Sequence, residues 1–155
     1  FQYGAFSRIQ AEKGKKVIWQ CVSQDKTTAL TGFFQTLAHA AEGDDRLCVK
    51  GLNTGEYSVR TRPQRLYLAR FGGLVKHISQ IELNPDGFLL RQANRYYSLN
   101  DCVEEYKCSA AALSFGIPLH NQFTGTGYNE KVRMLGDFGS NLYITEKLKS
   151  RGGEL

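Results

Sequence analysis

Alternating apolar and polar positions recur along this chain and predict strands. Glu56-Tyr57-Ser58-Val59-Arg60 alternates without a break and puts Tyr57 and Val59 on one strand face. Leu142 and Ile144 alternate with Tyr143 and Thr145, and Val132, Met134 and Phe138 share a face across from Arg133 and Asp137. Lys16 to Ser23 groups Val17, Trp19 and Cys21, while Ile18 and Val22 fall opposite, as in a strand covered on both faces or twisted at an edge. Asn84-Pro85-Asp86-Gly87 reads as a turn, because Pro presets φ and Gly suits the last position of a type I turn. With His77 to Leu83 before it and Phe88 to Leu90 after it, a hairpin is predicted there.

Two stretches carry a helical spacing. Thr27 to Glu42 aligns Ala29, Phe33 and Leu37, then Leu30, Phe34 and Ala38, yet its Thr, Phe and Leu content suits a buried strand equally. Gly32 would weaken a helix interior by about 1 kcal/mol, and spacing leaves both readings open. Asp101 followed by Glu104 resembles a capping box, Ala110 to Ala112 add helix propensity, and Gly116 and Pro118 terminate. About two turns of helix are expected in the second half of Asp101 to Phe115, then a strand from Ile117 to Phe123.

Composition narrows the class. A chain of 155 residues suffices for one domain, and 41% apolar with 23% charged residues marks a globular chain rather than a disordered one. Sixteen glycines with eight Tyr, nine Phe and one Trp favour β structure. No apolar run approaches the roughly 20 residues of a membrane-spanning helix, so no membrane partner is expected. Lys and Arg exceed Asp and Glu by a formal +5, but they are scattered, which argues against a nucleic-acid face. The chain opens on Phe1 without a charged leader, so it is expected to belong to something longer. Residues 1–150 are expected to form one domain and the polar 151–155 a frayed tail. Cys21, Cys48, Cys102 and Cys108 sit at unrelated spacings and read as reduced thiols, which goes with a cytoplasmic address.

Catalysis needs groups that converge. His39, His77 and His120 lie far apart, and the five residues between Cys102 and Cys108 do not match zinc-knuckle spacing. Asp44-Asp45 and Glu104-Glu105 are adjacent pairs, and neighbours on a strand face opposite ways, so neither pair converges; Asp44-Asp45, after Gly43, reads as a solvated turn. Gly125-Thr126-Gly127 lacks the Gly-Lys-Ser/Thr of a phosphate loop and the third Gly of a dinucleotide fingerprint, and so reads as a turn. Ser23, Ser114 and Ser140 have no nucleophile-elbow context. Trp19, Tyr96 and Tyr97 could stack on sugars, although a Trp between Val17 and Cys21 is expected in the core. No catalytic, metal or cofactor-binding residue is assigned, and no cofactor is expected.

The order of segments carries a resemblance. Phe1-Gln2-Tyr3-Gly4-Ala5-Phe6-Ser7-Arg8-Ile9 resembles the exit of the catalytic barrel in glycoside hydrolase family 36 α-galactosidases, where an aromatic, a Gly and an aromatic precede an Arg and an aliphatic residue. Val22-Ser23-Gln24-Asp25-Lys26-Thr27-Thr28-Ala29-Leu30 is similar to that family's VS-x-DK-x-x-AL segment, followed here by Phe33-Phe34-Gln35. Leu47 to Asn53 and then Tyr57-Ser58-Val59 resemble L-x-L-x-GL-[DN] leading to Y-x-V. Gly127-Tyr128-Asn129 and Leu135 to Tyr143 look like the family's closing strands. Between Arg60 and Ser109 the chain is longer than compact members, and Ser109 to Leu113 replaces their Gly-Asp-Glu-Leu-type motif.

The resemblance implies an all-β fold, an antiparallel β-sandwich with one short helix near Cys108 to Phe115, and makes Thr27 to Ala38 a strand. Trp19, Leu30, Phe34, Val59, Met134 and Leu142 are expected in its core. In the family this sandwich follows a (β/α)8 barrel that hydrolyses terminal α-galactosides with retention, using two aspartates of the barrel. The implied partner is therefore that barrel, in a parent enzyme free to self-associate. The α-galactoside belongs to the parent, and this stretch alone is expected to be inactive. The alternative is an autonomous carbohydrate-binding or interaction module.

Overall fold

The computed structural model describes residues 3–12, 15–37, 45–66, 87–96, 99–100, 102–123 and 131–149. In chain order the elements are β1 (Ala5–Glu12), β2 (Lys16–Val22), β3 (Thr28–Gln35), β4 (Arg46–Leu47), β5 (Glu56–Thr61), β6 (Arg65–Leu66), α1 (Phe88–Tyr96), β7 (Leu99–Asn100), β8 (Glu105–Ser109), α2 (Ala110–Phe115), β9 (Ile117–Pro118) and β10 (Ser140–Lys147). Six strands form one antiparallel sheet in the order β1-β2-β3-β10-β5-β8, and β4-β9 and β6-β7 form two-stranded sheets. The fold is the expected antiparallel β architecture, and Thr28–Gln35 is a strand.

The register fixes two faces. Ile18 pairs with Phe33, Phe33 with Asn141, Gln20 with Thr31, and Thr31 with Tyr143, so these side chains share the inner face. Ile18, Val22, Ala29, Phe33, Tyr57, Val59 and Tyr143 on that face pack against Leu47, Val49, Leu113, Ile117, Leu119 and Leu135. The second layer of the sandwich is thus built from β4, β9, α2 and the irregular chain between them. Irregular chain leaves backbone groups without a ladder, and buried ones need partners. Gln20 supplies two: its Nε2 donates to the Lys50 carbonyl and its Oε1 accepts from the Lys50 N–H, both at 3.0 Å. Gln35 donates to the Gly136 carbonyl at 3.1 Å and accepts from Gln122 at 2.8 Å.

This chemistry inverts the expected orientation of β2, β3 and β10. Val59 and Met134 are buried as expected, but Trp19, Leu30 and Leu142 are only half-buried and Phe34 is 36% exposed. The buried positions are instead Lys16, Ile18, Gln20 and Val22 in β2, and Asn141, Tyr143 and Thr145 in β10. Residues 132–138 do not form the expected strand: Arg133 is buried, Phe138 is 70% exposed with φ 53, and only an isolated bridge joins Gln122 to Arg133.

The expected short helix is α2. Its cap is Ser109, whose Oγ accepts from the Ala112 N–H at 3.2 Å, rather than Asp101, which lies outside the described residues. Gly116 closes it at φ 99, and its N–H donates to the Ala112 carbonyl. The strand expected from Ile117 to Phe123 is regular only at Ile117–Pro118. Phe88–Tyr96 is a helix, not the second strand of a hairpin. Leu, Arg, Gln and Ala in that run favour a helix, and Arg95 in the last turn suits its dipole. His77 to Leu83, Asn84 to Asp86 and the tail 151–155 lie outside the described residues.

Candidate functional site

The outer face of the large sheet is divided. On β1, β2 and β3, Phe6, Trp19 and Phe34 form a row, with ring centroids 6.0 Å apart for Phe6–Trp19 and 5.9 Å for Trp19–Phe34. Register explains the row: Phe6 pairs with Cys21, Trp19 with Gly32 and Val17 with Phe34. Gly32 gives the Trp19 ring its seat, since a Cβ there would lie 2.6 Å from Trp19 Cε2. Leu30, Leu142 and Ile144 continue this apolar area onto β10, through the pairs Gly32–Leu142 and Leu30–Ile144. Toward β5 and β8 the same face turns polar, with Arg60 and Glu146 paired at 3.6 Å and Glu105 and Lys107 exposed. Phe6 is 65% exposed, so the row is a substantial apolar area open to solvent.

Within the sandwich lies an ion network that the sequence reading missed. Arg133 is 1% exposed. Its Nη2 donates to Asp45 Oδ2 at 2.5 Å, its Nε donates to the His120 carbonyl at 2.6 Å, and Phe33 lies under the guanidinium at 5.6 Å. Asp45, expected in a solvated turn, also accepts from Lys16 at 2.7 Å and from Gln122 at 2.6 Å. Burial pushes its pKa up, but those donors together outweigh burial and hold it below the usual carboxylate range. Glu104 is fully buried beside Arg133 Nε at 3.9 Å. It accepts from Tyr106 at 2.5 Å, from the His120 N–H at 2.8 Å and from Tyr143 at 2.8 Å. Burial, followed by contact with the Glu104 carboxylate, raises the Tyr106 phenol. Burial is also the largest influence on the raised Tyr143 phenol. Lys16 and Arg133 lie beside Asp45, Arg133 lies beside Glu104, and the carboxylate oxygens are occupied by protein donors. The network joins the second layer to the sheet.

A third cluster explains two sequence motifs as one unit. Asp25 accepts from Ser23 Oγ at 2.5 Å and Thr27 Oγ1 at 2.6 Å, and these bonds, Ser23 first, lower its pKa to about 2. Lys26 at φ 55 completes the turn; its carbonyl accepts from the Asn53 N–H at 3.0 Å, and Tyr57 OH donates to the Asn53 carbonyl at 2.8 Å.

Of the residues weighed for chemistry, Glu104 and Glu105 diverge, as the strand geometry requires. Asp45 and Glu104 converge on Arg133 from distant parts of the chain, which adjacent-pair reasoning could not find. The signal available was Arg133 itself, an Arg between Val132 and Met134 in an apolar run. Tyr96 is exposed on α1, and Ser114 caps its own helix by donating to the Ala111 carbonyl at 2.7 Å. None of the four cysteines forms a disulfide, and the described residues contain no cluster of His, Cys, Asp and Glu able to hold a metal. His39, His77, Asp44, Tyr97 and Gly125 to Gly127 lie outside the described residues.

The fold defines the class, an antiparallel β-sandwich domain. Residues 16–144 match the model of the glycosyl hydrolase family 36 C-terminal domain, and the chain belongs to that family. Among solved structures it resembles the α-galactosidase from Lactobacillus brevis, at 20% identity and TM-score 0.53 over 100% of this chain and 15% of that one. A variant of the GH36 α-galactosidase AgaA from Geobacillus stearothermophilus, in complex with raffinose, matches at 19% identity and TM-score 0.51 over 95% of this chain and 13% of that one. AgaB from the same organism matches at 20% identity and TM-score 0.50 over 95% and 13%. At these identities the likeness speaks for the fold. The chain thus spans only 13% of the length of AgaA and 15% of the L. brevis protein. A sequence search of curated proteins finds no match.

Proposed function

We propose that this chain is the non-catalytic C-terminal sandwich of an α-galactosidase-like enzyme, and that it buttresses a (β/α)8 catalytic barrel. The observation that carries the proposal is the open aromatic row Phe6–Trp19–Phe34, beginning on the strand at the family-like barrel exit. Apolar area of this kind is costly in water, and a neighbouring domain would cover it. The parent would hydrolyse terminal α-galactosides with retention, through two carboxyl groups roughly 5–5.5 Å apart on the barrel. Asp45 and Glu104 do not suit that role, because both are buried and held by Arg133. Four cysteines outside disulfides support a cytoplasmic address.

Deleting this chain from the full-length enzyme tests the buttress. Melting temperature or soluble yield should fall, with turnover of a nitrophenyl α-galactoside per folded molecule unchanged. Loss of turnover in an enzyme that melts normally would mean that the domain lends residues to the sugar site. The exposed rings also suit a carbohydrate-binding module. Titration of the chain with raffinose, read by fluorescence of Trp19, the chain's single Trp, separates the two; a saturable change favours the module.

A further inference from the structure

We propose that Cys102 is a reactive thiol, paired with His120 and modified by hydroperoxides. Its Sγ lies 3.8 Å from His120 Nδ1, within hydrogen-bond reach for sulfur. An imidazole at this distance is placed to act as base toward the thiol, and the thiolate is the nucleophile. Both partners can be reached, with Cys102 half-buried and the imidazole 36% exposed.

The backbone that carries the ring is held in place. The His120 N–H donates to Glu104 Oε1, the Arg133 Nε–H donates to the His120 carbonyl, and the Tyr106 ring meets the imidazole edge-on at 5.6 Å. Among the described residues, Glu104 lies 3.9 Å from Nδ1, and Arg133 lies 3.9 Å from the same carboxylate oxygen. Cys108 provides the contrast: burial, followed by the Glu56 charge, pushes its thiol up.

In the reaction the thiolate attacks one oxygen of a hydroperoxide and the O–O bond breaks. Sulfur is oxidised by two electrons to the sulfenic acid, and the departing oxygen takes the imidazolium proton, leaving water or an alcohol.

The test uses the whole native chain. Limited alkylation with iodoacetamide at about pH 6.5 should modify Cys102 at least about tenfold faster than Cys108, read by peptide mass spectrometry. His120→Gln should bring the two rates within about threefold of each other. If that variant does not fold, the unmodified chain decides. Between about pH 8 and pH 6 the Cys108 rate should fall about tenfold per unit, and the Cys102 rate by less than about threefold per unit. After hydrogen peroxide, a 1,3-diketone trap should mark Cys102 ahead of Cys108. Equal native alkylation rates, a Cys102 rate unmoved by His120→Gln, equal pH slopes, or no preference in the trap would each overturn the proposal.

Discussion

Arg133 decides whether the sandwich closes. It bridges Asp45, the His120 carbonyl and Glu104, and removing the guanidinium would take a donor from Asp45 and from the His120 carbonyl and the nearby positive charge from Glu104. Arg133→Met keeps the volume but not the charge, and should destabilise the chain by about 3–5 kcal/mol, the range for breaking a buried pair from one side. A urea melt measures this; a loss under about 0.5 kcal/mol, typical of an ordinary surface site, would remove the network from the account. Asp45 adds a pH dependence. Its folded pKa lies below the unfolded value of 3.8, so its stabilisation is complete above about pH 4 and is lost as pH falls through the lowered folded value. Acid unfolding curves should therefore be steeper below pH 4 for the unaltered chain than for Asp45→Asn, with the difference screened little by salt. Parallel curves would contradict it.

At the scale of elements, the alternation in β2 and β10 was legible and its direction was not, while the spacing in β3 left helix and strand open until the family resemblance made it a strand. Ordinary half-buried strands point their apolar residues inward. Here the second layer offers bare backbone, so Gln20 and Gln35 turn inward to satisfy it, and Trp19, Phe34 and Leu142 turn outward. Strand β5, whose inner positions are Tyr57, Val59 and Thr61, followed the simple rule and was read correctly from sequence. The turn residues of α2 were equally plain, whereas Ser109 was passed over because Asp101 offered a more familiar cap. The ion network was hidden because its members, Lys16, Asp45, Glu104 and Arg133, come together only across the fold. The inverted faces give a contrast. Leu113→Ala, fully buried under the sheet, should cost about 2–5 kcal/mol, the range for core leucines. Leu142→Ala, half-buried on the outer face, should cost about 1 kcal/mol in this chain, in line with the smaller area it hides. Equal losses in paired thermal melts would contradict the orientation of β10.

The whole molecule is asymmetric. One side of the sheet is sealed by the second layer, and the other carries aromatic and aliphatic side chains over β1, β2, β3 and β10, with charged residues on β5 and β8. The proposed buttress role would account for that asymmetry, with a catalytic domain covering the apolar part. The central claim is that this outer face is an internal contact of a larger enzyme. Hydroxyl-radical footprinting resolves it side chain by side chain, in this chain alone and in the full-length enzyme. Phe6, Trp19 and Phe34 should be oxidised readily in the chain alone and protected several-fold in the enzyme. Equal oxidation of the three rings in both would contradict the account, because the face would then remain open to solvent with the barrel in place.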